Sequence, residues 1–155
     1  MKLTIKNKTN RKDITDNIKL FQEFFSYAKN KLKFDKPVCL EFISSQSNSK
    51  DPLGKTAYYD PKNHLIVVYV DDRHLKDILR SFSHELIHHK QNCRGDFEGV
   101  ETFDGYAQED GHLRDMEKEA YLLTILFRDW EDNYKKSNIM VREWVTKKIK
   151  RLLRG

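Results

Sequence analysis

His84-Glu85-Leu86-Ile87-His88 closes a run in which Leu75, Ile78, Leu79, Phe82 and Leu86 recur at helical spacing. Residues four apart lie on one face of an α-helix, so His84 and His88 can offer imidazole nitrogens to a single ion. Glu85 lies about 100° round the helix from His84, near such an ion without pointing at it. A carboxylate in that place can take a proton from a metal-activated water. The two histidines project about 150–180° from the apolar stripe. The helix, expected to begin at Asp71-Asp72 and run to about Asn92, can therefore bury one flank and turn its histidines into a cleft.

Working outward, residues 65–70 form the longest apolar run and read as a buried strand. With residues 55–59 and the turn Asp60-Pro61-Lys62-Asn63 they make a hairpin. Val38 to Ile43 alternates as another strand after Pro37, and residues 44–54 (SSQSNSKDPLG) read as a polar loop. Ile14, Ile18, Phe21, Phe24, Phe25 and Ala28 predict an amphipathic helix over 13–33, N-capped by Asp13 or Thr15. Downstream, residues 93–111 look like an irregular excursion of the kind that lines active sites. Residues 112–134 read as a helix apolar nearly all round, and residues 138–154 as a separate basic amphipathic helix. Ile139, Val141, Trp144, Val145, Ile149 and Leu152 supply that last helix with a face for packing onto the domain.

The chain's 155 residues allow one domain with a real core. A single domain over 1–155 is expected, with its core at about 38–134 and the basic helix at about 138–154. Cys39 and Cys93 fall in no CxxC or regular pattern, which argues against a disulfide framework or zinc ribbon and for a reducing compartment. No segment is apolar enough to read as a leader or a membrane span, so a cytoplasmic protein is expected. The net charge of +5 is unevenly spread. Residues 1–36 hold 10 Lys/Arg against 4 Asp/Glu, residues 37–134 hold 11 against 19, and residues 135–155 hold 8 against 1. The acidic centre suits cation binding. The basic ends keep the protein soluble, with nucleic acid the partner they would otherwise favour.

Two histidines cannot hold a catalytic zinc alone; such sites normally use three protein ligands and a water. The candidate third ligand is Glu117, on a stripe with Leu113, Ala120, Tyr121 and Thr124. On a stripe of small and apolar residues, that carboxylate needs a positive partner if buried, which a zinc ion would supply. Glu119, Glu109, Asp104 and His112 compete for the role. His89 reads as a packed or partly exposed histidine, His64 and His74 as structural, and Cys93 as a buried thiol.

HELIH followed by Glu117-Lys118-Glu119-Ala120, an ExxA motif, resembles the gluzincin clan of zinc metallopeptidases, and most closely its minimal single-domain members. The resemblance covers roughly residues 55–125. It implies an α+β, zincin-like domain: a short, mostly antiparallel sheet whose edge strand packs on the HExxH helix, and a second, glutamate-bearing helix. It implies Zn2+ held by His84, His88 and Glu117, with Glu85 as general base, acting on a peptide or protein substrate that pairs with the edge strand. An oxyanion stabiliser is also implied, with His112, Tyr106 and Arg114 as candidates. Where thermolysin-like enzymes carry an Asp four residues after the ligand Glu, this chain has Tyr121, so the residue supporting a ligand histidine is unassigned. HKQNCR lacks the Gly and third His of a metzincin. More distantly the chain resembles SprT-like proteases that act on DNA-bound proteins, which use a third His. A non-catalytic metal-containing interaction protein is the remaining alternative. Substrate, cleavage preference and oligomeric state are not legible from the residues.

Overall fold

Leu3-Thr4-Ile5-Lys6-Asn7 sets two apolar side chains on one face of a strand, β1 (Leu3–Asn7), which the lysines around it conceal from a sequence reading. A computed structural model describes residues 2–51, 54–98, 111–123 and 125–154, with the side chains of 122 and 137–148 left aside. After β1 come α1 (Lys12–Asp16), α2 (Ile18–Leu32), β2 (Val38–Ile43), α3 (Gln46–Lys50), β3 (Ala57–Asp60) and β4 (Leu65–Tyr69). Three further helices follow: α4 (Leu75–Cys93), α5 (Gly111–Leu122) and α6 (Ile125–Arg154). The described residues thus form an α+β fold with a four-stranded mixed sheet and six helices.

The sheet order is β1-β2-β4-β3. β1 and β2 run parallel, β2 and β4 run parallel, and only β3 and β4 are antiparallel. The expectation of a mostly antiparallel sheet is therefore corrected. Two physical features account for it. The α1–α2 segment is a crossover between β1 and β2, and a strand–helix–strand connection returns the chain parallel to itself. In the hairpin it is β4, with Ile66, Val67 and Val68 all buried, that takes the inner position beside β2. β3 is left at the edge.

Register explains which face is covered. Ile5 lies opposite Leu40, Leu40 opposite Ile66, and Ile66 opposite Tyr59; Phe42 lies opposite Val68, and Val68 opposite Ala57. These residues share one face, and α2 and α4 pack on it. Phe21 packs on Phe42 with tilted rings 5.0 Å apart between centroids, and Phe24 meets Phe82 edge-on at 5.9 Å. Burying such large side chains contributes about 1.5–3 kcal/mol each.

Several local expectations are revised. The helix expected over 13–33 is two helices joined at Asn17, whose backbone N–H donates to Ile14 O and whose side chain donates to Asp13 O. Neither Asp13 nor Thr15 is its cap. Arg11 precedes α1, Asp13 is paired with Arg11, and Thr15 Oγ1 accepts from Asn7 Nδ2. The loop over 44–54 contains α3, started by Ser45 Oγ accepting from the Asn48 amide. α4 starts at Leu75 instead of at Asp71-Asp72. Asp72 is left-handed (φ 57°), and the His74 ring caps the helix by accepting from the Lys76 amide at 3.1 Å.

The helix expected over 112–134 ends early, where Leu126 N–H bonds back to Leu123 O. α6 then runs unbroken through the junction expected near 135–137, a stretch with neither Gly nor Pro to stop it. α5 is not apolar all round: Leu113, Met116 and Ala120 are buried, but Tyr121 is 69% exposed. α6 is anchored by Leu126, Phe127 and Trp130, the last meeting Phe24 at 5.2 Å. Its far end carries Ile149, Leu152 and Leu153 exposed, so Ile149 and Leu152 do not pack onto the domain as expected. The side chains of Ile139, Val141, Trp144 and Val145 lie outside the described residues. So do residues 99–110 of the expected excursion. Among the described residues, no helix is long and apolar enough to cross a membrane.

Candidate metal centre

The apolar stripe of α4 sets the orientation of everything else in the site. Ile78, Phe82, Leu86 and Ile87 are fully buried against the sheet and α2, which turns His84 and His88 toward α5. On α5, Leu113, Met116 and Ala120 are buried. Glu117 lies four residues after Leu113 and three before Ala120, so the contact that seats α5 also aims Glu117 at the histidines.

The result is a three-residue cluster. Glu117 Oε1 lies 2.7 Å from His88 Nε2, and Glu117 Oε2 lies 3.4 Å from His84 Nε2. One donor atom from each of the three lies within 4.8 Å of the others, a group that can hold a metal ion. Zinc bonds of about 2.0–2.1 Å place tetrahedral donors about 3.3 Å apart. The His84–Glu117 spacing already matches that figure. The His88–Glu117 pair is drawn closer by a hydrogen bond through the other carboxylate oxygen.

A solvated polar face is excluded by burial: His88 is 4% exposed and Glu85 is 7%. Burial pushes the Glu85 carboxyl above its ordinary value; His88 and His84 pull it down, and Glu117 pushes it up further. For His88, burial alone would lower the imidazole, but the Glu117 hydrogen bond and the charges of Glu85 and Glu117 leave it raised. For Glu117, burial opposes ionisation, yet hydrogen bonds from His84 and His88 hold the carboxyl down to about 2. The cluster is therefore a negative carboxylate facing imidazole nitrogens, with a second carboxyl, reluctant to ionise, buried beside them.

The competing ligands are placed elsewhere. Glu119 pairs with Arg94, Oε1 to Nη2 at 2.8 Å, and does not join the histidines. His112 Nε2 donates to Asp96 O at 2.9 Å. Glu109, Asp104 and Tyr106 lie outside the described residues, and Arg114 is exposed on α5. Of the remaining histidines, His74 caps α4 and His64 packs its ring on His89 at 5.4 Å. His89 is fully buried, as its position near the stripe suggests. Its Nε2 donates to Lys36 O at 2.9 Å, so in the neutral ring Nδ1 accepts from Tyr59 O–H at 2.8 Å. Both nitrogens are used, and burial lowers its pKa to about 4. Cys93 is a half-buried free thiol 3.6 Å from the same ring.

One residue that touches the cluster escaped the sequence reading. Gln91 is fully buried, and its Oε1 lies 2.8 Å from His88 Nδ1. Tyr121, four residues after Glu117, instead lays its ring against His84 at 5.0 Å. The available signal was spacing: Gln91 is three residues after His88 and seven after His84, on the same helical face. Phe97 borders the site on the other side, 6.3 Å from the His88 ring. Comparison with protein-family models, with curated proteins and with solved structures finds no match to this chain.

Proposed function

We propose that the chain is a zinc-dependent peptidase, with His84, His88 and Glu117 as metal ligands and Glu85 as general base. The observation that carries this reading is Glu85, a buried carboxyl with a raised pKa, one residue from a ligand and beside the two-histidine, one-carboxylate cluster. Two imidazoles and one carboxylate suit zinc better than the all-oxygen sets preferred by Mg2+ or Ca2+. Such an ion, when bound, supplies Lewis-acid polarisation of a carbonyl oxygen and of a water molecule. Glu85 then takes the proton released by the attacking water at its carboxylate and passes it to the amine that leaves.

β3 supports the choice of substrate. It is the edge strand, without an outer strand partner among the described residues, and it is pinned to α4 where Asn92 Nδ2 donates to Tyr59 Oη at 2.9 Å. An extended peptide adding to that edge would run alongside α4.

The SprT-like alternative would need a third histidine at the metal, and the four histidines outside HELIH are engaged as described above. A non-catalytic role in association with nucleic acid draws instead on the basic end of α6; salt-dependent DNA binding that survives metal removal would favour it. The peptidase reading is tested by measuring bound metal in the purified protein and incubating it with a mixed peptide library. Cleavage that stops with a chelator and returns with Zn2+ is expected. A protein carrying one equivalent of zinc that cleaves no peptide would overturn the peptidase, though not the metal site.

A further inference from the structure

The hydrogen bonds around Gln91 have only one chemically consistent arrangement. Its side chain touches three polar groups: His88 Nδ1, Met116 O at 2.9 Å and Glu119 Oε1 at 2.9 Å. The backbone carbonyl and the carboxylate can only accept, so the Gln91 NH2 must face them and spend both its hydrogens there. Turning the amide over would set its carbonyl oxygen against two other acceptors. Gln91 Oε1 is therefore committed to His88, and because Oε1 can only accept, His88 Nδ1 must carry a proton. In the neutral ring that leaves the lone pair on Nε2, the nitrogen facing Glu117.

The amide is itself held from behind. Glu119 is gripped by Arg94, which also pairs with Asp96 in the turn that follows α4. Asp96 O in turn accepts from His112 Nε2 at the start of α5. A continuous set of hydrogen bonds thus links the C-terminal end of α4, the turn after it and α5, and it ends on the one His88 nitrogen that does not face the cluster. All of its members from Gln91 to Glu119 are polar groups with defined partners, in a place where apolar packing would have served to join two helices.

We infer that Gln91 is a positioning residue for the metal centre: it selects the Nδ1–H tautomer of His88, orients the ring, and ties that orientation to the seating of α5, the helix that brings Glu117. This rests on the assignment of His84, His88 and Glu117 as ligands. Hydrogen-bond partners of ligand histidines typically change metal affinity by roughly ten- to a hundredfold when removed.

The test compares Zn2+ affinity, measured by competition with a chromophoric chelator, in the wild type, in Gln91→Leu and in the exchange pair Gln91→Glu with Glu119→Gln. Leucine keeps the volume and removes the acceptor. The exchange pair restores an acceptor for His88 and a donor–acceptor match between positions 91 and 119, but sets a carboxylate oxygen against Met116 O, a penalty that is read in the melting temperature and not in the zinc affinity of the folded protein. Melting of each metal-free protein is recorded alongside. The expected result is an affinity roughly ten- to a hundredfold weaker for Gln91→Leu and recovered to within about threefold in the exchange pair. A Gln91→Leu protein that melts lower but, while folded, binds Zn2+ within twofold of wild type would make Gln91 a packing residue and overturn the inference. A variant too unstable to fold leaves the decision to the exchange pair, whose folded form must bind like wild type. If the wild type itself binds no Zn2+, the metal-site reading falls and takes this inference with it. If the wild type binds and Gln91→Leu binds equally well, only this inference falls.

Discussion

Glu117 Oε1 stands 2.7 Å from His88 Nε2, across the interface of two helices separated by a long intervening segment. Neither residue makes this contact through its own helix; α4 and α5 must dock first. The carboxylate is thereby placed between two imidazoles, where a divalent ion would replace the hydrogen-bonding proton.

Glu117→Ala should therefore abolish tight zinc binding, weakening it at least about a hundredfold, by removing one of three ligands. Glu119→Ala should cost less, on the order of tenfold, because that carboxylate supports Gln91 and not the ion. Titration of each variant with Zn2+ against a competing chelator separates the two. A larger loss for Glu119→Ala than for Glu117→Ala would mean that Glu119 is the ligand.

If the proposed peptidase reading holds, Glu85→Gln should leave the metal in place and lower kcat by about 10²–10⁴ or more, since the proposed general-base assistance is lost while the ligands remain. The same change should raise the melting temperature of the metal-free protein near neutral pH, by a few degrees, on the order of 4 °C. The sign follows from burial. Glu85 has a folded pKa above its ordinary 4.5, so its contribution to stability is full below 4.5 and is lost as pH rises through the raised value. The gain from Gln should shrink toward pH 4, which paired melts at pH 4 and 7 would show.

The metal-free His88–Glu117 pair should itself show a stability window. Glu117, lowered to about 2, stabilises the fold above its ordinary 4.5, and that contribution is lost as pH falls toward 2. His88, raised above its ordinary 6.5, contributes below 6.5 and loses that contribution as pH rises through its folded value. The pair is thus worth most between about 4.5 and 6.5. Unfolding of chelator-stripped wild type and of His88→Leu across pH 3–9 should diverge most in that window. A difference that does not vary with pH would show that the pair is not ionised.

His89 is expected to serve stability alone. Replacing it with Ala removes a fully buried ring, the acceptor of the Tyr59 hydroxyl proton and the imidazole donor to Lys36 O, a loss of about 2–4 kcal/mol in urea unfolding. Its lowered pKa of about 4 means that its contribution is present above 6.5 and is lost as pH falls toward 4. His89→Phe, which cannot titrate, should flatten that part of the acid unfolding profile. Zinc affinity that falls in step with the His89→Ala stability loss would contradict the purely structural role.

Much of the site was legible in the chain because helical spacing is local. The four-residue separation of His84 and His88 needs only α4 to be a helix, and the apolar stripe ending at Leu86 dictates which side faces away from them. Glu117 could be shortlisted by its place on a stripe with Leu113 and Ala120, but Glu119 could not be set aside until Arg94 was seen to hold it. Gln91 was overlooked because glutamine has no charge or metal-ligand character to mark it. Its role exists only through the Met116 carbonyl and Glu119, which arrive from another helix.

The fold divides in the same way. Periodicity alone determined that the chain has the β2 strand, the β3–β4 hairpin, the α4 helix and its paired histidines, since each depends on neighbours within a few turns of backbone. Strand direction and order were decided only in three dimensions. β1 is a five-residue alternation among lysines, and nothing local says that it pairs parallel with β2. Nor does anything local set β4 inside the sheet and β3 at its edge; burial of β4 on both faces does that. The metal cluster belongs to this second class, because its third member reaches His84 and His88 only when the buried face of α5 has docked on α4.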